Sequence, residues 1–264
     1  MLAPSKNFDS NLDPKNKQYP FSIKPDEKVS VRDVMAILRD YYEGTKYDLT
    51  EGLAAGPFGT PNRYATPGNV KPEGKKDAGW ERAISMFRCS YSFVSQARDW
   101  LPDPVGGVTW FGEDAPHTTC YVPIYAGVTE IPEAYRTGAR DRFDRDSAWW
   151  AFNFVSNWAD LKFEYMIEDI RAEQNKFEKR FIKMQPTIDQ AAKDLYEQDP
   201  ELARKFLTNH TKSNLTEVQE RWWELAEELV YKYHDGYINT KDDVKSVGYP
   251  TEWLEKVDFG DSNN

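Results

Sequence analysis

The residues best equipped for chemistry are few. The sequence holds two cysteines, Cys89 and Cys120, and three histidines, His117, His210 and His234. Cys89 lies in "SMFRCSYSFV", where Phe87, Cys89, Tyr91 and Phe93 alternate with Arg88, Ser90 and Ser92. That period of two predicts a half-buried strand over Ser85–Val94, with the thiol on the apolar face as a small hydrophobe. A nucleophilic thiol instead needs access and a base or cation that lowers its pKa. Cys120, in "HTTCYVPIY", has His117 three residues before it. Such short spacing is weak evidence of a catalytic pair, since catalytic partners usually meet through the fold, and core packing is the stronger reading there too. The histidines show no metal-ligand spacing, and no phosphate-binding glycine loop or Gly-x-Ser-x-Gly elbow occurs. No metal or cofactor is expected.

Arginines offer a different chemistry. Arg88 falls on the polar face of the expected strand, where a guanidinium can hold a carboxylate by paired hydrogen bonds. A solvated or ion-paired strand arginine is the plainer alternative. Arg82, in "GWERAIS", carries the same two readings. Asp144, Arg145 and Asp146 in "FDRDSAWW" can form a carboxylate site, but they also stand where a helix needs its cap, which explains them more simply.

The elements that must position these residues follow from pattern. Residues 1–29 are polar and proline-containing and read as an arm; the rest, 30–264, reads as one domain. "SVRDVMAILRDYYEG" is a helix with a capping box at Ser30 and Asp33, ending by Gly44. A Gly- and Pro-rich loop spans Gly52 to Gly79. Strands are expected between about 83 and 130, paired antiparallel, with Pro123 marking an edge or bulge. Helices are expected between about 146 and 236. The first is a long one running from Asp146 to Pro186, then one near 187–208 interrupted at Pro200, then one near 216–235. The fold class is therefore α+β, antiparallel strands followed by long helices.

Composition narrows the function. The chain has 264 residues, a formal net charge of −10, 30% charged and 14% aromatic residues. An acidic surface argues against nucleic acid and against a basic membrane-binding face. No apolar run approaches the roughly 18 residues of a membrane span. The first residues lack a basic stretch followed by an apolar one, so no signal peptide is expected and a cytoplasmic location is the default.

Three long runs, "SVRDVMAILRDYYEGTKYDLTEGLAAGPFGTPNRY", "ERAISMFRCSYSFVSQARDWLPDPVGGVTWFGEDAPHTTCYVPIYAGVTEIPEAY" and "FDRDSAWWAFNFVSNWADLKFEYMIEDI", resemble the cysteine-type dipeptidases of the dipeptidase A family, relatives of the secernins. The resemblance implies an N-terminal nucleophile hydrolase with a four-layer αββα sandwich. It implies hydrolysis of dipeptides without a metal. The attacking cysteine would be the first residue after processing, with its own α-amine as base. Family members are about twice as long, and their nucleophile lies in the half preceding the residues matched. Removing Met1 here would expose Leu2. The expectation is thus a C-terminal half of such a dipeptidase, with no nucleophile of its own and inactive alone, joined by a complementary N-terminal half or by further copies of itself. A non-catalytic binding or scaffolding remnant is the alternative. Related amidases set a late-strand arginine near the nucleophile, which by position assigns Arg88 or Arg82 to substrate or oxyanion support.

Overall fold

The computed structural model describes residue 22 and residues 24–64 and 82–257. Most of the arm at 1–29 and the second half of the Gly- and Pro-rich loop lie outside the described residues. Helix α1 covers Val31–Leu38, and its capping box is formed as expected. Ser30 Oγ accepts the Asp33 N–H, and the Asp33 carboxylate accepts the Ser30 N–H at 2.7 Å.

Strand β1 spans Tyr91–Ala97; a short helix α2, Asp103–Gly106, leads into β2, Gly107–Glu113; β3 is Val122–Tyr125. They form one antiparallel sheet in the order β1-β2-β3, with Val94 opposite Trp110 and Trp110 opposite Pro123. Pro123 thus lies on an edge strand, where its missing N–H costs no ladder bond.

The strand expected at Ser85–Val94 starts six residues later, and its faces are inverted. Residues 85–90 form bends and a turn ahead of it. Val94 points inward and is buried, whereas Tyr91 and Phe93 are 56% and 53% exposed. These two rings stack on one another and on Phe111 across the ladder. The period of two was correct, but periodicity does not say which phase meets the helices. Among the described residues, one sheet face packs against helices and the aromatic face is left open.

The helical half also departs from pattern. The long helix expected from Asp146 to Pro186 is broken into α3, Ala148–Ala159, and α4, Phe163–Gln198, which then runs through Pro186. The break at Asp160–Lys162 contains neither Gly nor Pro. Lys162 leaves helical geometry there, and its ammonium donates to the carbonyls of Tyr233 and Tyr237 at 2.7 and 3.2 Å. Helix α5, Pro200–Tyr233, begins on a proline capped by Asp199. It packs antiparallel along α4 and lies against α3 and β3. A two-stranded ribbon, β4 Tyr237–Asn239 and β5 Val244–Ser246, and a short helix α6, Thr251–Lys256, complete the described chain.

Between β2 and β3 the loop Asp114–Tyr121 is buried throughout. A buried loop must find partners for its backbone, and side chains from three helices provide them. Arg39, just past α1, donates to the carbonyls of Pro116 and Thr119 at 3.2 and 2.9 Å. Gln174 of α4 donates to His117 and Thr119, and Trp222 of α5 donates to Thr118. Glu178 of α4 accepts the Tyr121 N–H at 2.8 Å and pairs with Arg39. This loop fixes the end of β2, where the candidate site begins.

Candidate functional site

Asp114 ends β2 in a left-handed conformation, with φ of 61°, one of three non-glycine residues among those described with positive φ. Its N–H bonds to the Ser90 carbonyl at 2.9 Å, so the turn before β1 holds it. Its side chain is turned to α3. Oδ1 accepts the Asn153 amide at 3.0 Å, and Ser156 stands on the next turn. Oδ2 is buried and meets no donor among the described residues. Burial pushes the Asp114 carboxyl up to about 6, opposed by the Asn153 bond and by the nearby Ala115 N–H and Ser156 hydroxyl, and assisted by the negative charge of Asp160. Glu113, also buried, rises to about 7, through burial first and the neighbouring Asp114 charge second.

Asp160 is the third carboxylate. It lies one turn beyond Ser156, where α3 stops. Thr60 Oγ donates to it at 2.7 Å, the Asn62 amide at 2.8 and 2.9 Å, and the Tyr64 hydroxyl also donates. The ring of Tyr64 meets Phe87 edge-on, centroids 5.0 Å apart. The Arg88 guanidinium lies over the Phe87 ring, 5.7 Å from its centre. The segment Thr60–Tyr64, the turn at 87–90, the end of β2 and the last turns of α3 therefore converge on one corner. All the hydrogen-bond donors to Asp114 and Asp160 are neutral. Among the described residues, none of Glu113, Asp114 and Asp160 has an ion-pair partner.

The residues singled out by sequence fare differently. Cys120 is fully buried, and burial raises its thiol well above the ordinary value, with Glu178 adding to the rise. His117 is not its partner. Its Nδ1 lies 2.7 Å from Ser85 Oγ, and burial, with Arg171 and Arg39, lowers it to about 3, so it is neutral. Cys89 is not in a strand. It stands half-buried in the turn before β1, where burial chiefly, and the Asp114 charge in addition, raises its thiol. Neither thiol is in the electropositive, accessible setting that makes a thiolate.

Arg88 is likewise not on the polar face of a strand; it is an exposed turn residue at the rim of the corner. Arg82 is exposed, and its carbonyl accepts the Tyr42 hydroxyl at 2.6 Å. The structure brings Arg88 to the corner by way of Phe87 but shows no such link for Arg82. Asp144 accepts the Asp146 N–H in a local turn before α3, while Arg145 covers the Trp223 ring and reaches Glu227. These are structural roles. Among the described residues no three His, Cys, Asp or Glu side chains converge as a metal-ligand set. No described helix is long and apolar enough to cross a membrane.

Sequence reasoning missed Asp114, Glu113, Asp160, Asn62 and Asn153. The one available signal was the Glu-Asp pair placed directly at a strand end, which reads equally well as an ordinary turn.

The model of peptidase family C69 matches residues 3–176. The chain belongs to peptidase family C69. The matched segment contains the whole corner, from Thr60 through Asp160. Among curated proteins, the chain is 27% identical to a probable dipeptidase B of Lactococcus lactis over 156 residues, 59% of this chain and 29% of that protein. It is 32% identical to a probable dipeptidase of Latilactobacillus sakei over 49% of this chain and 23% of that protein. It is 24% identical to dipeptidase A of Lactobacillus helveticus over 88% of this chain and 44% of that protein. The chain thus spans less than half the length of these curated relatives.

The match corrects one expectation from sequence. The chain was expected to hold only a C-terminal part of the family's sandwich. The family match instead starts at residue 3 and takes in most of the chain, so the domain is not a C-terminal remnant. What stands is an α+β arrangement, a sheet followed by long helices, and a link to cysteine-type peptidases named as dipeptidases.

Proposed function

We propose that this chain binds unblocked dipeptides and serves their hydrolysis by a cysteine-type peptidase mechanism. The observation that carries the reading is the corner itself. Its two aspartates, Asp114 and Asp160, sit beside neutral donors, with Tyr64 and Phe87 at the rim, inside the segment matched by a peptidase family and in a chain similar to proteins named dipeptidases. A short, doubly charged peptide presents one ammonium and one carboxylate to its enzyme, and the corner has groups suited to each. Arg88 at the rim is the residue assigned to the substrate carboxylate or to support of the oxyanion, because a guanidinium makes paired bonds to either. Arg82, without a contact to Phe87, is the weaker candidate for the same role.

In this reading neither Cys89 nor Cys120 attacks the peptide bond. A buried thiol whose pKa is raised is protonated at neutral pH and is a poor nucleophile. The two thiols are therefore assigned no attacking role. The family resemblance points to a terminal cysteine whose α-amine takes the proton.

Titration calorimetry of the full chain with Ala-Ala tests the binding half of the proposal. Saturable binding that persists in Cys89→Ala and Cys120→Ser is the expected result. No heat with any unblocked dipeptide overturns it. Dipeptide cleavage that is lost specifically in Cys89→Ala, with the fold intact by circular dichroism, overturns the assignment of the thiols.

A further inference from the structure

A dipeptidase must recognise a free amino end, and the described corner is short of positive charge in the way that recognition requires. We propose that Asp160 and Asp114 together hold the protonated α-amino group of the substrate, with Glu113 reinforcing the field, so that the corner selects peptides with an unblocked amino terminus. This inference rests on the dipeptide reading above and goes further by naming the group recognised and the residues that recognise it.

Three independent features lead to it. The first is the donor set around Asp160. Thr60, Asn62 and Tyr64 fix both of its oxygens with neutral hydrogen bonds. Neutral donors hold a carboxylate in place without cancelling its charge, which leaves the charge for a ligand. By contrast, Asp189 and Glu178 have their charge met by Arg98 and Arg39.

The second is Asp114. Its residue is 1% exposed, one oxygen is satisfied by Asn153, and the other is buried without a donor. A buried acceptor left unpaired is costly, and such positions persist where a ligand or a function uses them. Asn153, Ser156 and Asp160 recur at helical spacing on the face of α3 that Asp114 meets, so the orphan oxygen belongs to the same face as the fixed carboxylate. An ammonium has three N–H donors, which matches an orphan oxygen on one side and a negative, neutral-bonded carboxylate on the other.

The third is the rim. Tyr64 is 64% exposed and donates to Asp160 from its hydroxyl, while its ring meets Phe87. An exposed tyrosine packed on the half-buried Phe87 next to the carboxylates gives the first side chain of a peptide an apolar surface to lie on, and ring faces favour a nearby cation. The three carboxylates do not form a metal-ligand set among the described residues, so an organic ammonium suits the corner better than a divalent ion.

The test compares blocked and unblocked ligands on the full chain by titration calorimetry, with L-alaninamide, Ala-Ala and N-acetyl-Ala-Ala as probes. The parent should bind Ala-Ala at least about tenfold more tightly than the acetylated peptide, the loss expected when charge-assisted hydrogen bonds are removed. In Asp160→Asn, and separately in Asp114→Asn, that ratio should fall towards unity through weaker binding of Ala-Ala alone. Tyr64→Phe, which keeps the charge, should retain most of the preference and covers the case in which an aspartate variant fails to fold. Binding of Ala-Ala near pH 6.5 should also release protons, seen as a heat that varies with the ionisation enthalpy of the buffer; a purely structural aspartate would not give that signal. Equal affinity for blocked and unblocked peptides in the parent overturns the anchor. So does an unchanged preference in both aspartate variants. If L-alaninamide binds in an Asp160-dependent way while no dipeptide binds, the ammonium site stands and the dipeptide reading falls.

Discussion

Replacing Glu178 by alanine should be among the most damaging single changes to this fold, although Glu178 is remote from the candidate corner. Its carboxylate accepts from Arg39 Nη1 and Nη2 at 3.0 and 2.5 Å and from the Tyr121 N–H at 2.8 Å. Arg39 in turn holds two carbonyls of the buried loop. The substitution leaves a guanidinium whose side chain is only 20% exposed without its counter-charge, and a wholly buried N–H without an acceptor. Breaking a buried ion pair costs about 3–5 kcal/mol, and an orphaned buried N–H about 1–3 kcal/mol. Water entering the space left by the carboxylate offsets part of the sum, so the expected loss is about 4 kcal/mol. Glu178→Gln keeps one acceptor oxygen and should lose about half as much, in keeping with the difference between charged and neutral hydrogen bonds.

Urea unfolding followed by tryptophan fluorescence measures the loss, since Trp110 and Trp222 are both fully buried. The matching fall in Tm is about 10 °C for a domain of this size. The double variant Arg39→Met/Glu178→Leu distinguishes two accounts. Apolar replacement of a buried ion pair is often neutral when charge attraction is all that is lost. Here it should still destabilise, because the carbonyls of Pro116 and Thr119 lose their arginine and Tyr121 its acceptor. A Glu178→Ala loss below about 1 kcal/mol, or a neutral double variant, would refute the view that this pair exists to satisfy the buried loop.

Two further outcomes follow from the inverted strand and from the acidic corner. Phe93→Ser should cost less than about 1 kcal/mol in urea unfolding and reduce the fluorescence of a bound hydrophobic dye, whereas Val94→Ser, one residue on and facing inward, should cost about 2 kcal/mol or more; the reverse order would restore the face assignment expected from sequence. Asp114 and Glu113 titrate higher folded, about 6 and about 7, than unfolded, so the folded chain holds the extra protons and their contribution is complete below about pH 4 and lost as pH rises through those values. Asp114→Asn should therefore gain on the parent by something of the order of 2 kcal/mol between pH 4.5 and 8 in urea unfolding, and a difference that does not change with pH would contradict the burial of that carboxyl.

Local rules carried part of the fold. The Ser30–Asp33 box, the antiparallel strands followed by helices and the edge position of Pro123 each depend on residues close together in the chain, and each was legible; at Pro200 the pattern gives only an interruption within 187–208, whereas α5 starts there and runs unbroken to Tyr233. The failures share a different cause. The phase of β1 depends on which side α5 and α3 cover. The break between α3 and α4 depends on Lys162 reaching carbonyls more than 70 residues away and on Asp160 being held by Thr60 and Asn62. Pro186 was read as a stop, yet α4 continues through it, because a long helix packed on a neighbour can lose one backbone bond and remain the better arrangement.

The same distinction explains why the corner was hidden while Cys89 drew attention. Cysteine is conspicuous by type, but its reactivity is set by surroundings, and here burial and a nearby carboxylate both oppose the thiolate. Aspartate is common, and Asp114 and Asp160 become unusual only when the fold sets both against neutral donors. Two other enclosed carboxylates, Glu178 and Asp189, are paired with Arg39 and Arg98. The chain's remaining buried carboxylates are concentrated at the end of β2 and beside the end of α3, at a residue with left-handed backbone and an unpaired oxygen. A positively charged ligand removes the cost of burial by pairing the charge, so the local instability is itself the argument for what the corner binds.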